Sequence, residues 1–241
     1  MNKLAPLFCV LFLAACSDND NDAAADTTTP APAPAPAPLT NASFEVAVTN
    51  LTLGQPLSPI AAVIHDDSYR AFRTGEPASA GLELLAEAGD NSGLLDEVQG
   101  AGETSGSAPV APGASDLISV EIEGDDVTGM HLTVMTMLVN TNDAITGING
   151  IDLSDMPVGS SRTLSTIAYD SGTEANSETA GTIPGPAGGG EGFNAIRDDI
   201  VDHVTAHAGV VTSQDGLMSS DLTQTHRWDN PVARFTITRT Q

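Results

Sequence analysis

The chain has 241 residues, with 8 basic against 32 acidic side chains and a formal net charge of −24 at pH 7. Such a surface repels nucleic acid and anionic lipid head groups and attracts cations, which excludes nucleic acid as a partner. The only two cysteines, Cys9 and Cys16, lie close to the N-terminus, so stability is expected from an apolar core or a bound metal rather than from disulfides.

The chain opens with MNKLAPLFCVLFLAAC. Lys3, the only lysine, forms a short basic region, and residues 4–13 form an apolar run too short to span a bilayer. The sequence Leu13-Ala14-Ala15-Cys16 resembles a bacterial lipoprotein signal. That resemblance implies a signal peptide over residues 1–15 and lipidation of Cys16, palmitate included, so that acyl chains rather than a helix form the membrane anchor. Ser17 after the cysteine, by analogy with lipoprotein sorting, favours export to the outer membrane of a Gram-negative bacterium. Residues 16–40 read as an acidic and Pro-Ala-rich disordered tether: SDNDNDAAADTTT lacks large apolar side chains. PAPAPAPAP, residues 30–38, is expected as extended polyproline, at roughly 3.1 Å per residue about 28 Å long.

From residue 41 to 241 the pattern is that of one folded domain. SFEVAVTN alternates Phe44, Val46 and Val48 with Glu45, Ala47 and Thr49, as a half-buried strand does. SAGLELLAEAG predicts a short helix with Ser79 as N-cap and Gly89 as stop. LISVEIE places Ile118, Val120 and Ile122 on one face of a strand. GDDVTG, with Asp125 and Asp126, is expected at a hairpin tip. TGMHLTVMTMLV predicts a central strand covered on both faces and ending at Val139. RTLSTIAY is a weaker strand signal, and GPAGGGEG at 185–192 predicts a surface loop without the lysine of a phosphate loop. NAIRDDIVDHVTAH fits either a second helix or a strand. VARFTITRT closes the chain, with Ala233, Phe235 and Ile237 facing one way. Strands at both ends, joined by long Gly/Pro/Ser-rich connections, predict a mainly β fold. The expected form is an antiparallel β-sandwich with Greek-key wiring and one or two short helices in the connections.

The chemistry concentrates in two stretches. In IAYDSGTEANSE, residues 167–178, Asp170, Glu174, Asn176 and Glu178 surround Gly172. Along a strand, residues four apart share a face but stand about 13 Å from each other. Two ligands of one calcium ion lie within about 5 Å, since each oxygen is at about 2.3–2.6 Å. Asp170 and Glu174 can therefore share an ion only if the chain turns, and Gly172 permits the positive φ of such a turn. In LVNTNDAITGING a long apolar strand ends and Asn140, Asn142 and Asp143 follow. If the two strands are neighbours, Asp143 meets the 170–174 turn, and three carboxylates in one place repel unless a cation neutralises them.

NDAITGINGIDL, YDSGTEANSE, IPGP and NPVARFTIT, in that order, resemble the spondin N-terminal domain family, which includes domains of F-spondin and mindin and of bacterial lipoproteins. The resemblance runs from about Ser43 to Thr238. It implies an antiparallel β-sandwich with a calcium site at strand-end loops. The aspartate of the family's PDWFVG corresponds to Asp143, and the acidic pair of its DAGTD to Asp170 and Glu174. The metal ligands implied are Asp143, Asp170 and Glu174, with Ca2+ as cofactor. The tryptophans and cysteines of animal members are missing here, and Glu174 is longer than the aspartate it replaces.

A different chemistry is offered by His203 and His207, whose spacing on a helix would place two imidazoles together for zinc or copper. The metalloprotease glutamate between them is absent, and no GxSxG occurs. The reading reached is a lipid-anchored cell-envelope binding or adhesion module, not an enzyme, with a calcium site at strand-end loops. Its expected partners are the membrane, through the N-terminal lipid, and a surface protein or glycan; the chain is expected as a monomer. The alternatives are a metal-dependent hydrolase using His203 and His207, or a structural envelope protein without a specific ligand.

Overall fold

The structure, a computed structural model, describes residues 40–241. The expectations for the signal peptide, Cys16 and the tether lie outside these residues, apart from Thr40. In chain order the strands are β1 (Ala42–Asn50), β2 (Ala61–His65), β3 (Gly102–Ser105), β4 (Ser115–Ile122), β5 (His131–Met137), β6 (Ala144–Asp152), β7 (Ser161–Thr166), β8 (Tyr169–Asp170), β9 (Thr205–Ala206) and β10 (Ala233–Arg239). Helices α1 (Ala80–Ala88) and α2 (Ser92–Glu97) both fall between β2 and β3.

The strands form two antiparallel sheets, ordered β4-β1-β10-β7 and β3-β2-β5-β6-β8-β9. The chain passes repeatedly from one sheet to the other, and the first strand lies between the fourth and the last, the non-sequential order expected of a Greek-key sandwich. Alternation decides which side chains face inward. Phe44, Val46 and Val48 of β1, Ile118, Val120 and Ile122 of β4, and Phe235 and Ile237 of β10 are buried. They form one cluster with Ala62 and Ile64 of β2, Leu132 and Val134 of β5, and Ala144 and Ile148 of β6. Each large apolar side chain buried this way contributes roughly 1.5–3 kcal/mol.

The other face of the six-stranded sheet is covered too. Ala61, Met135 and Ile145 pack against Leu82, Leu85 and Ala86 of α1 and Leu94 of α2. This second layer explains why β2 and most of β5 are buried on both faces, which for β5 the long apolar run predicted. Helix α1 begins where expected. The Ser79 hydroxyl accepts from the Leu82 N–H at 3.1 Å, and Gly89 adopts φ +69° while its N–H bonds back to Leu85. Helix α2, which the apolar pattern did not predict, reinforces that start. Its Glu97 carboxylate accepts from the Gly81 N–H at 2.6 Å and the Ser79 hydroxyl at 2.7 Å.

Two expectations are corrected. GDDVTG is not a hairpin tip: β4 and β5 belong to different sheets, so this segment is a crossover. Residues 194–207 form no helix and only the two-residue strand β9. Arg197 contacts Glu83 of α1, which ties this irregular segment to the helix. No helix among the described residues is long and apolar enough to cross a membrane.

Candidate functional site

The site lies where β6 begins and β8 ends. These strands pair through Ala144 opposite Asp170 and Ile145 opposite Tyr169. Asp143 therefore stands one residue before the ladder, beside the turn that follows Asp170. The approach to Asp143 is a tight corner in which the Thr141 hydroxyl donates to the Leu138 carbonyl at 2.6 Å and accepts from the Ala144 N–H at 3.0 Å. Across from it, Gly172 adopts φ +73°. A Cβ at Gly172 would lie 2.6 Å from the His203 nitrogen and 2.7 Å from the Val201 carbonyl oxygen, so the turn requires glycine both for conformation and for space.

This turn wraps the Asp143 carboxylate. Oδ2 accepts from the Ser171 hydroxyl at 2.8 Å, the Thr173 N–H at 2.9 Å and the Glu174 N–H at 3.2 Å. Asp170 folds over its own turn: Oδ1 accepts from the Gly172 N–H at 2.9 Å and Oδ2 from the Asn176 amide at 2.7 Å. The structure thus brings Asp143, Asp170 and Glu174 to one place, by the strand pairing that the sequence left conditional.

It adds a carboxylate that sequence reasoning did not assign. Glu178 is buried and is the only non-glycine residue with positive φ, at 55°, among the described residues. Its N–H donates to Asn142 Oδ1 at 3.2 Å, and its Oε1 accepts from the Val211 N–H at 3.1 Å. The signal was present in the quoted stretch, where Glu178 follows Glu174 by four residues. What the chain alone does not show is that the turn folds it back inside.

Three oxygens in this group are buried without a hydrogen-bond partner: Asp143 Oδ1, Glu174 Oε2 and Glu178 Oε2. Among the described residues no salt bridge reaches Asp143, Asp170, Glu174 or Glu178. Burial, followed by the charge of Asp170, pushes the Asp143 carboxyl up to about 7. Burial and then Glu87 push Glu174 up to about 8. Burial is also the main cause for Glu178, raised to about 7 against the Val211 N–H, with Asp143 and Asp170 adding to the rise. Each of these carboxylates resists ionisation because it lacks a positive neighbour. Among the described residues no three or more acidic, histidine or cysteine side chains already form a coordination group. The arrangement is a buried nest of carboxylates with free oxygens, not a closed shell.

His203 and His207 are not brought onto one helical turn. The segment between them holds only the two-residue strand β9. His207 is buried, tilted against Trp228 at 5.1 Å between ring centroids, and accepts from the Gly209 N–H on Nδ1 at 2.9 Å. Its neutral ring then carries the proton on Nε2, which has no partner. Burial lowers its pKa, against a smaller opposing effect of Asp170.

The other quoted motifs converge on the same corner. A Cβ on Gly185 of IPGP would strike the Val139 carbonyl oxygen, and the Ala187 N–H donates to Asn140 Oδ1 at 2.9 Å. Asn230 of NPVARFTIT accepts from the Ala168 N–H at 3.0 Å, immediately ahead of β8. Four segments distant in sequence thus build one strand-end corner around buried acids. The fold and this corner define a β-sandwich domain with an acidic strand-end site. The Spondin_N family model matches residues 51–184, more than half of the chain, and the chain belongs to the spondin N-terminal domain family. That match spans β2 to β8 and includes Asp143, Asp170, Glu174 and Glu178. Comparison with curated proteins gave no match.

Proposed function

We propose that this domain is a non-enzymatic binding or adhesion module of the cell envelope, anchored through Cys16, with a calcium ion held by Asp143, Asp170, Glu174 and Glu178. One observation carries the cation reading: Asp143, Glu174 and Glu178 each keep a buried carboxylate oxygen without a hydrogen-bond partner, and no salt bridge among the described residues reaches them. A buried carboxylate without compensation is costly, and a hard dication supplies the missing charge. The donor set suits calcium, which takes six to eight oxygens in adaptable geometry. Asp143, already fixed through Oδ2, offers Oδ1, while Glu174 and Glu178 each offer Oε2. Asp170, held by Gly172 and Asn176, contributes charge and fixes the turn. Membership of the spondin family supports an adhesion-type role, and the expected partner is a surface protein or glycan.

Calorimetric titration and thermal melting with calcium test the reading. Binding to the native state alone stabilises by about 2.7 kcal/mol when free ion stands at a hundred times its dissociation constant. Melting should rise with calcium at fixed ionic strength, whereas matched sodium supplies only screening. Asp170→Asn should lose most of that rise, because it removes one of the charges that draw the ion. Asp126→Asn is the control, since Asp126 is exposed in the crossover and should bind calcium as the native chain does. An equal loss in both variants, or an equal rise with sodium, rejects the site.

A further inference from the structure

A cavity of about 210 Å³ opens between the turn that follows β2 and the end of α2. Its wall includes His65, Asp66, Ser68 and Tyr69 from the first and Glu97 and Gln99 from the second. None of these residues belongs to the acidic corner. The Tyr69 hydroxyl is buried and has no hydrogen-bond partner among the described residues. Burial, with the charge of Glu97 adding, pushes its pKa up, so it remains a donor.

The wall is held in place. The His65 ring meets Tyr69 edge-on, with centroids 5.0 Å apart. His65 Nδ1 donates to the Asp66 carbonyl at 2.6 Å, which leaves Nε2 to accept from the Thr133 hydroxyl at 2.8 Å. With both nitrogens taken, this imidazole has no lone pair for a metal. Glu97 accepts from the Ser79 hydroxyl on one oxygen and the Gly81 N–H on the other, and each oxygen keeps a lone pair. Asp66 Oδ1 is taken by the Ser68 N–H at 2.8 Å, while Oδ2 is not.

These groups discriminate between classes of ligand. An anion would meet two carboxylates and no basic side chain in the wall, since Arg70, next in sequence, is held by Asp67 at 2.6 Å. A cation suits the carboxylates but leaves the Tyr69 O–H unpaired. A neutral hydroxyl both donates and accepts, so a polyol satisfies both kinds of group. At about 210 Å³ the cavity falls below the roughly 300–1,000 Å³ of pockets for drug-sized ligands, which suits one sugar ring. We propose that this cavity binds a single uncharged sugar unit of a glycan. The Tyr69 hydroxyl and the Gln99 amide donate to it, and the Asp66 and Glu97 carboxylates accept from its hydroxyls. The proposal rests on the binding-module reading and deepens it by naming a glycan as the partner; it does not involve the calcium site.

The test is titration of the isotope-labelled full chain with glucose, galactose, mannose and N-acetylglucosamine, followed through its backbone amide signals by NMR. At least one sugar should shift the signals of residues 65–69 and 97–99 in a saturable way. Tyr69→Phe keeps the ring and loses the hydroxyl, and should weaken that binding by about tenfold. Its melting temperature should not fall, because an unpaired buried hydroxyl does not stabilise the fold. If Tyr69→Phe does not fold, Gln99→Ala takes its place, since Gln99 is exposed and its loss should weaken binding as well. No sugar shifting these signals, shifts confined to other residues, or native affinity in the variant overturns the site. Ethylammonium shifting the same signals where no sugar does makes it a cation site and overturns the proposal too. Such a failure is distinct from failure at the acidic corner, because calcium titration of Tyr69→Phe should match that of the native chain.

Discussion

Asp143 shows how a single residue can be satisfied and costly at once. One oxygen accepts from a hydroxyl and two backbone N–H groups, while the other is buried with nothing to accept from. Its raised pKa, with those of Glu174 and Glu178 at about 7 to 8, sets the pH dependence of the metal-free protein. A carboxyl whose folded pKa lies above its unfolded value, about 4, binds more protons in the folded state. Its stabilising contribution is complete below about pH 4 and is lost as pH rises to about 8. Thermal melting of the chelated protein should therefore fall across that window. Calcium should abolish most of the fall and, on binding near neutral pH, should release protons, measurable by calorimetry in buffers of different ionisation enthalpy. A melting temperature that rises steadily from pH 5 to 8 in chelator would show that these acids are ionised in the folded state. Gly172 makes a second residue-scale case. Gly172→Ala forces a side chain into the left-handed region and against the 201–203 backbone. The left-handed conformation alone costs about 1–3 kcal/mol, so urea unfolding should show a loss of at least that size.

At the scale of elements, helix α1 joins the outer face of the six-stranded sheet to the acidic corner. Its start rests on Ser79, which accepts from the Leu82 N–H and donates to Glu97 of α2. Ser79→Ala removes both contacts and should cost about 1 kcal/mol or somewhat more, read as a lower urea midpoint with an unchanged m-value. The same helix carries Glu87 at its far end, so the loss at the N-cap should leave calcium affinity within a factor of about two, provided the domain stays folded. Strand β8 is the opposite kind of element. It is two residues long and is defined by its neighbours β6 and β9, not by any pattern of its own. Its position nevertheless decides the site, because Asp170 opposite Ala144 places Asp143 beside the turn.

At the scale of the whole molecule, the two layers on the six-stranded sheet form the framework. The apolar cluster between the sheets and the cluster under the helices hold β5 and β6 from both sides. The acidic corner can then carry buried carboxyls without hydrogen-bond partners, because the packing beneath it offsets the cost. The net charge of −24 adds a general repulsion that cations relieve. The proposed anchor belongs to this scale as well. The Leu13-Ala14-Ala15-Cys16 sequence predicts acylation of Cys16, tested by growth of the expressing cells with radioactive fatty acid. Native chain should take up label and Cys16→Ser should not; equal labelling of both excludes the anchor.

Composition and periodicity by themselves determined the class of fold. Phe44, Val46 and Val48, and again Ala233, Phe235 and Ile237, alternate because each strand buries one face, and that requirement is local enough to be written in consecutive residues. The cap at Ser79 and the stop at Gly89 are equally local. The proposed calcium ligands Asp143, Asp170 and Glu174 entered through a resemblance and a conditional pairing, and only the register of β6 with β8 brought their stretches together. Tertiary structure alone decided the burial of Glu178 and Glu87 and the irregular path of residues 194–207. A carboxylate's burial depends on what the rest of the chain lays over it. In sequence, Glu87 and Glu178 look like solvated acids of a helix and a polar turn; in the fold they are enclosed, each with one carboxylate oxygen left unpartnered.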